Sequence, residues 1–380
     1  MGPSVGVSRL TLTNYRNYRC LDVSFAPGLN VLSGPNGAGK TNILEAVAYL
    51  ALGRSPRTPR DSELVGYGGE VFEIALDYGL RELGGASTPQ PSLSVRYRAV
   101  QGRAVRIDDR PVAPSALYGR FLAVFFCPDD LWLLKGGPSA RRSLLDRLLV
   151  QGYPVYADAL MRYREALQQR NATLKEVRRR RAGRAMLAIW EPQLVQYGGE
   201  IARRRAETAL SLQTLAAEAY RDLAGAHEPL ECRYAPGLGT EEPLAEASRW
   251  EAALEAALEG HREQDIAMGL TSIGPHRDDL QVLIDGKGAR AGASQGQQRS
   301  AVLALKFAER SHLFARTGRL PVFLVDDVLS ELDPWRRGAL EERLAGEGQV
   351  FLTTADASEV SAVPASRHFA VRGGAVSARA

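Results

Sequence analysis

The 380-residue chain is 45% hydrophobic and 24% charged, a composition that buries one large core or two ordinary ones and excludes an extensively disordered protein. Its formal net charge is only +4, yet Arg141 to Arg205 carries 15 Lys and Arg against 6 Asp and Glu. That local +9 leaves −5 for everything else and makes the segment a candidate docking surface for a polyanion. No apolar run approaches the roughly 18 residues of a membrane span, and the first residues lack a charged-then-apolar leader pattern, so a cytoplasmic protein with no membrane attachment is expected.

In chain order, Ser8–Thr13, Leu21–Phe25 and Leu29–Leu32 read as short strands broken by the Pro27-Gly28 turn. The third runs into a glycine-rich loop, after which Ile43, Leu44, Val47 and Leu50 recur at helical spacing. Phe72, Ile74, Leu76 and Tyr78 alternate as in a half-buried strand, and strands continue to about residue 126. The turn-rich stretch from Arg81 through Gly84-Gly85 to Pro91 is the expected place for local disorder. Tyr156, Leu160, Tyr163, Leu167, Leu174 and Val177 then follow a helical rhythm that Ile201, Thr208, Leu212, Leu215 and Ala219 repeat. This predicts two long helices packed as a hairpin, with Pro192 and Gly198-Gly199 interrupting between or within them. A third helical run covers roughly Pro243 to Leu258. Strand signals return at Leu280–Ile284, Val322–Val325 and Val350–Thr353, with a helix from about Gln297 to Phe314. The pattern is an α/β domain split by a helical insertion. Cys20, Cys127 and Cys232, an odd number without a close pair, indicate neither disulfides nor a zinc site and read as buried small hydrophobes.

Gly34-Pro35-Asn36-Gly37-Ala38-Gly39-Lys40-Thr41 matches G-x-x-x-x-G-K-[ST] and lies between a strand and a helix, the context that gives the match meaning. Gly34, Gly37 and Gly39 let the backbone curl so that its N–H groups face phosphate oxygens, and the following helix adds the positive end of its dipole. Lys40 is expected to reach the β- and γ-phosphates and the Thr41 hydroxyl to ligate Mg2+. Val322–Val325 suits a fully buried parallel strand, and Asp326-Asp327 ends it at the edge where ligands collect. Asp326 is the expected Mg2+ carboxylate and Asp327 the residue that orients the attacking water, so Lys40, Asp326 and Asp327 are the expected catalytic residues. The guanine-reading Asn-Lys-x-Asp motif is absent, which favours ATP.

Ser294-Gln295-Gly296-Gln297-Gln298-Arg299 stands immediately ahead of the helix bearing Val302, Leu305 and Phe307. It resembles the Ser-x-Gly motif that ABC-type ATPases, including their SMC-like branch, carry at a helix N-terminus. The resemblance implies that Ser294, Gly296 and Gln297 contact the γ-phosphate of ATP held by a second subunit, and a hydroxyl, a glycine and a helix N-terminus suit an anion. Asn14-Tyr15-Arg16-Asn17-Tyr18, Pro128-Asp129-Asp130-Leu131 through Lys135-Gly136, Pro138, Arg141-Arg142 and Leu145-Asp146, Thr271 to Asp279, and Asp326 to Asp333 are similar to hallmarks of the RecF family. These islands reach from Asn14 to Thr353, so the resemblance covers essentially the whole chain.

The resemblance implies an ABC-type ATPase head with a β-rich first lobe carrying the phosphate loop (1–130), an inserted α-helical arm (131–262), and a second lobe carrying the signature, the acidic strand and a D-loop at Ser330–Asp333 (263–380). One phosphate loop and one signature per chain then require two chains for two complete sites, an ATP-dependent homodimer. The family role implied is a weak, DNA-stimulated ATPase of recombinational repair, replication restart and the SOS response. It would bind single- and double-strand DNA at gaps or junctions and act with RecR and RecO in loading RecA. Slow hydrolysis is expected, because Asp327 stands where the broader ABC pattern has glutamate and Thr353-Thr354 where transporters place a switch histidine. No Q-loop glutamine is visible near Pro128. The alternative, the ATP-hydrolysing subunit of an ABC transporter, is disfavoured by the basic insertion and the missing histidine.

Other residues carry two readings each. Arg178–Arg181 with Arg184, and Arg203–Arg205, contact DNA phosphates or form a solvated helix face. Asn14 and Arg16 lie near the nucleotide or are a strand-end polar pair. Arg141 and Arg142 belong to a dimer or partner surface or to a helix-capping salt bridge. His276 and Arg277 are expected to hold a turn, and Tyr153, Tyr156 and Tyr163 to be core.

Overall fold

The computed structural model describes residues 4–81, 91–224, 228–238, 247–331, 334–345, 348–355 and 367–378. The segment 82–90, residues 243–246 of the third helical run and residues 332–333 of the expected D-loop lie outside them. The chain divides into two compact units, one of residues 1–131, 218–227 and 294–380, the other of 132–217 and 228–293.

In chain order the elements are β1 (Ser4–Tyr15), β2 (Tyr18–Ser24), β3 (Leu29–Ser33), α1 (Lys40–Leu52), β4 (Val71–Arg81), β5 (Ser92–Arg98), β6 (Gly102–Ile107), β7 (Arg110–Val112) and β8 (Ala123–Phe126). There follow α2 (Trp132–Lys135), α3 (Pro138–Gly152), α4 (Pro154–Arg178), α5 (Glu191–Ala224), β9 (Leu230–Ala235), α6 (Ala247–Gly260), α7 (Arg262–Met268), β10 (Asp279–Ile284), β11 (Lys287–Gly288) and α8 (Ala289–Gly292). The chain ends with α9 (Gln295–Thr317), β12 (Val322–Asp326), α10 (Pro334–Ala345), β13 (Val350–Thr354), β14 (Arg367–Arg372) and β15 (Ala375–Ala378).

Among the described residues the first unit holds two six-stranded sheets, an antiparallel one in the order β2-β1-β4-β5-β6-β7 and a mostly parallel one in the order β15-β14-β3-β13-β12-β8. β3, β12 and β13 are buried along their whole length, as parallel strands covered on both faces must be. β1 and β4 instead alternate, burying Leu10, Leu12, Ile74 and Leu76. α1 contributes to a core shared with both sheets, in which Ile43, Val47 and Leu50 join Phe72 and Ile74 from one and Leu32, Leu324 and Phe351 from the other. Its sequence is apolar nearly all round for that reason. The hairpin β14–β15 beside β3 carries no clear sequence signal, because each strand is short and half polar.

The inserted unit departs from expectation in two ways. It is not purely helical, since β9, β10 and β11 form a three-stranded sheet. Residues 263–293, grouped above with the second ATPase lobe, pack with the insertion because β10 pairs with β9 from Asp279↔Ala235 to Ile284↔Leu230. Gly198 and Gly199 do not interrupt a helix. α5 runs through them, and a Cβ on Gly198 would lie 2.5 Å from Leu254 and 3.0 Å from Tyr163, so glycine there allows α5 to approach α4 and α6 closely.

Buried charge organises this unit. Arg205 is almost wholly enclosed and donates to Asp146 at 2.8 Å, Asp278 at 2.9 Å and the Pro275 carbonyl at 2.6 Å. Tyr156 and Tyr234 hydroxyls complete the two carboxylates. Arg205 is therefore removed from the candidate DNA contacts. Its neighbours Arg203 and Arg204 are matched on their own helix by Glu200 and Glu207. Arg141 makes a bidentate pair with Asp279 and donates to the Leu133 and Gly136 carbonyls at the end of α2, the helix-capping salt bridge of the two readings, and Arg142 donates to the Asp278 carbonyl. Tyr156 and Tyr163 are core as expected, while Tyr153 is partly exposed under the Arg204 guanidinium, 4.5 Å from the ring centre. Cys20 departs from the expected burial, since it faces solvent from β2. Among the described residues no helix is long and apolar enough to cross a membrane.

His276 holds the 271–278 turn, with Nδ1 2.8 Å from the Tyr163 hydroxyl and Nε2 2.9 Å from the Thr271 carbonyl. Burial pushes its pKa down from 6.5 to about 4. The folded form thus binds fewer protons than the unfolded one, and stability is complete above pH 6.5 and lost as pH falls towards about 4. The melting temperature of wild type should fall through that window more steeply than that of His276→Gln; parallel pH profiles would show that this imidazole contributes nothing.

Candidate functional site

Strands β3, β13 and β12 end level with one another, with Thr353 opposite both Leu32 and Asp326. From β3 the chain enters the loop Gly34–Gly39. Gly34 has no room for a side chain, because a Cβ there would lie 2.1 Å from the Val371 carbonyl oxygen. Gly39 has φ 112° and serves as the N-cap of α1, which has no side-chain cap and no acid in its first turn. The helix start is therefore open to an anion, with its dipole favouring one. The Lys40 ammonium lies back over the loop, donating to the Gly34 carbonyl at 2.5 Å and the Pro35 carbonyl at 3.1 Å. Burial pushes its pKa down, and the charges of Asp327 and Asp326 oppose that shift.

Asp326 accepts from the Thr41 hydroxyl at 2.9 Å and the Thr353 hydroxyl at 2.7 Å. Burial pushes its carboxyl pKa up; the two hydroxyls and the positive charge of Arg57 oppose this. Thr353 Oγ1 in turn accepts from the Asp327 amide at 2.9 Å, so the threonine bridges both acids. The set fits a hard cation, because a hydroxyl and a carboxylate already converge beside the open end of a phosphate loop.

The structure thus brings Lys40, Thr41, Asp326 and Asp327 to one place, together with the loop Gly34, Pro35, Asn36, Gly37, Ala38 and Gly39. Ser294 forms the N-cap of α9 in a capping box, its Oγ accepting from the Gln297 amide at 3.2 Å while Gln297 Oε1 accepts from the Ser294 amide at 2.6 Å. The Arg336 side chain lies against Gly296, where a Cβ would sit 3.4 Å from the guanidinium, and donates to Ser300. The Pro128 turn is tied to α9 by the Asp130–Lys306 pair at 3.2 Å.

Sequence reading missed four contributors. Asn17 Nδ2 donates to the Ala38 carbonyl at 3.0 Å and the Tyr18 hydroxyl to the Gly39 carbonyl at 3.1 Å, so the turn between β1 and β2 braces the phosphate loop. Their signal was the Asn14–Tyr18 motif itself. Glu45, wholly buried on α1, pairs with Arg16 and Arg57. Arg57 comes from an irregular loop where no periodicity could have marked it. Arg16 is thereby shown to be an anchor of this turn, at φ 53° beside Asn14 at φ 49°.

A model of the RecF/RecN/SMC N terminal domain matches residues 6–373. The DNA replication and repair protein RecF of Moorella thermoacetica is 40% identical over 363 residues, covering 96% of this chain and 92% of the relative. That of Symbiobacterium thermophilum is 40% identical over 377 residues and covers 97% of each. The chain belongs to the RecF family. The solved structure of the recombination mediator protein RecF-ATP in the RecFOR pathway superposes on this RecF-family chain with a TM-score of 0.90 at 30% identity, over 100% of this chain and 99% of that one. The Smc head domain from Pyrococcus furiosus, at 17% identity and a TM-score of 0.56, shares the fold alone. The ABC-type ATPase head expected from the sequence is therefore the observed fold, and relatives spanning nearly the whole chain are repair proteins, which displaces the transporter alternative.

Thr353→Val leaves Asp326 one donor short and the Asp327 amide without its acceptor, and should cost about 1–3 kcal/mol of stability, seen by calorimetry as a lower melting temperature. Thr353→Ser keeps both bonds and should melt near wild type. Equal losses in the two variants would mean that the methyl group, not the hydroxyl, matters.

Proposed function

We propose that this chain is an ATP-dependent DNA-binding protein of recombinational repair and replication restart. The observation that carries the reading is the convergence of Thr41, Asp326 and Thr353 at the mouth of an uncapped phosphate loop. In this reading the loop amides from Gly34 to Gly39 and the Lys40 ammonium hold the β- and γ-phosphates of ATP, and Thr41 and Asp326 hold Mg2+, which supplies charge neutralisation when bound. Asp327 orients the attacking water. Ser294, Gly296 and Gln297 face the γ-phosphate held by a second copy, so two chains close around two nucleotides as a homodimer. The RecF-ATP relative in the RecFOR pathway supports ATP as the nucleotide and a place in recombination; RecR and RecO are the partners of this reading, with RecA loading downstream. Single- and double-strand DNA at gaps or junctions is the polyanion, and the site is cytoplasmic.

The reading assigns binding, not rapid turnover, as the working step. Turnover should stay well below about 10 per second, the typical enzyme median. Sedimentation with ATP and Mg2+ should give a dimer for wild type and a monomer for Lys40→Met, which lacks the phosphate-binding ammonium. Ser294→Arg should bind nucleotide normally and remain monomeric. A dimeric Ser294→Arg protein would remove the signature from the seam.

For DNA, Arg203 and Arg204 are half-buried, and the exposed candidates are Arg178–Arg181 and Arg184. Arg178 donates to the Met268 carbonyl, Arg179 pairs with Glu176 and Arg184 with Glu263. Reversing Arg180 and Arg181 to Glu should weaken DNA binding and reduce its salt dependence by about one to two counterions, following roughly 0.9 per phosphate contact. An unchanged salt slope would make the cluster a solvated face.

A further inference from the structure

We propose that Glu45 is a positioning residue for the phosphate site, its buried carboxylate fixing Arg57 and the Asn14–Tyr18 turn against the phosphate loop. The inference rests on the reading of that loop as an ATP site. Glu45 lies four residues after Thr41 on α1, so the two share a helix face. Its side chain is 0% exposed. Oε1 accepts from Arg16 at 2.7 Å and Ser55 at 2.6 Å, and Oε2 from Arg16 at 2.9 Å and Arg57 at 3.3 Å. Three separate segments therefore meet on one carboxylate: the turn between β1 and β2, helix α1 and the loop that follows it.

Each segment also touches the site by another route. Asn17, next to Arg16, donates to the Ala38 carbonyl within the phosphate loop. Asn42 donates to Asn17 at 2.8 Å and accepts from Arg57 at 3.1 Å, closing a ring of polar contacts around the start of α1. Among the described residues the Arg57 guanidinium is hydrogen-bonded through Nη1, to Asn42 and Glu45, and the side chain remains 39% exposed. Through Asn42, in the first turn of α1 with Lys40 and Thr41, Arg57 is held as a second cation at the start of that helix, and electrostatic stabilisation of charge on a terminal phosphate depends on groups held in place beforehand. A carboxylate with no exposure is costly to bury, and satisfying it with two guanidinium groups and a hydroxyl makes it a rigid anchor for both arginines.

The test is steady-state ATP hydrolysis by the full-length chain carrying Glu45→Gln, Arg57→Ala or both. Glu45→Gln should lower kcat about tenfold while KM for ATP stays within about twofold, the pattern of an interaction made only in the transition state. In the Arg57→Ala background the same change should cost much less in kcat, because one of the two arginines through which Glu45 acts is already gone and only the route through Arg16 remains. Equal fold-losses in the two backgrounds, an unchanged kcat, or a rise in KM alone would overturn the proposal. If Glu45→Gln does not fold, Ser55→Ala removes one of the carboxylate's donors without stranding a charge, and the same comparison in the two backgrounds decides the matter at smaller amplitude. A wild type that hydrolyses no ATP, or Lys40→Met at the wild-type rate, would overturn the nucleotide reading and this inference with it. An active wild type with equal losses overturns the inference alone.

Discussion

The Asp326 carboxylate takes one hydrogen bond from Thr41 at the start of α1 and another from Thr353 at the end of β13, and the arrangement of the phosphate end of the first unit depends on that pair. The bonds join three segments far apart in the chain. They are possible only because β3, β13 and β12 run parallel and finish at the same level, so that the loop leaving β3, the hydroxyl ending β13 and the acid ending β12 share one edge. The core beneath fixes that level. α1 is apolar nearly all round because both sheets contribute to the core in which it lies, and a helix held so firmly cannot slide its first turn away from Asp326. The site is thus as rigid as the core, which is what preorganised charge requires.

The inserted unit is organised by a different device. Arg205 binds two buried carboxylates, and Arg170, also wholly buried, pairs with Asp265 at 2.7 Å and Glu191 at 3.2 Å. Removing one member of such a network strands the other charge, at a cost of about 3–5 kcal/mol. Much of the excess positive charge seen in the sequence is therefore matched within the unit. What remains exposed is concentrated at the end of α4 and just beyond it.

The elements easiest to read were those whose physics is local. The phosphate loop announces itself because glycine, lysine and threonine are each needed at fixed spacing, and β12 and β13 because a buried parallel strand is an unbroken apolar run. The long helices α4 and α5 were equally plain from periodicity. Contacts distant in sequence were not. Nothing near Arg205 distinguishes it from Arg203 and Arg204, since the difference is only that its face of α5 meets Asp146 and Asp278. Gly198-Gly199 read as a break because glycine disfavours helices, and the neighbours Tyr163 and Leu254 that reward its small size lie far off in the chain. Likewise Arg57 sits in a loop without a pattern, and Glu45 looks like any polar residue on an otherwise apolar helix.

Asp327 joins the two kinds of reading. By sequence alone it is a shortened version of the glutamate common in related ATPases, an apparent chemical economy. In the structure its backbone sits at φ 47°, in the left-handed region that aspartate and asparagine enter far more readily than longer side chains. That conformation points its amide at Thr353 Oγ1, and the same hydroxyl donates to Asp326. The shorter acid is therefore matched to a backbone turn that the neighbouring threonine holds, so its identity is set by conformation as well as by reach. A histidine at 353 would offer no hydroxyl to bridge the two acids, which ties the absence of the transporter-type histidine and the presence of aspartate at 327 to one local geometry.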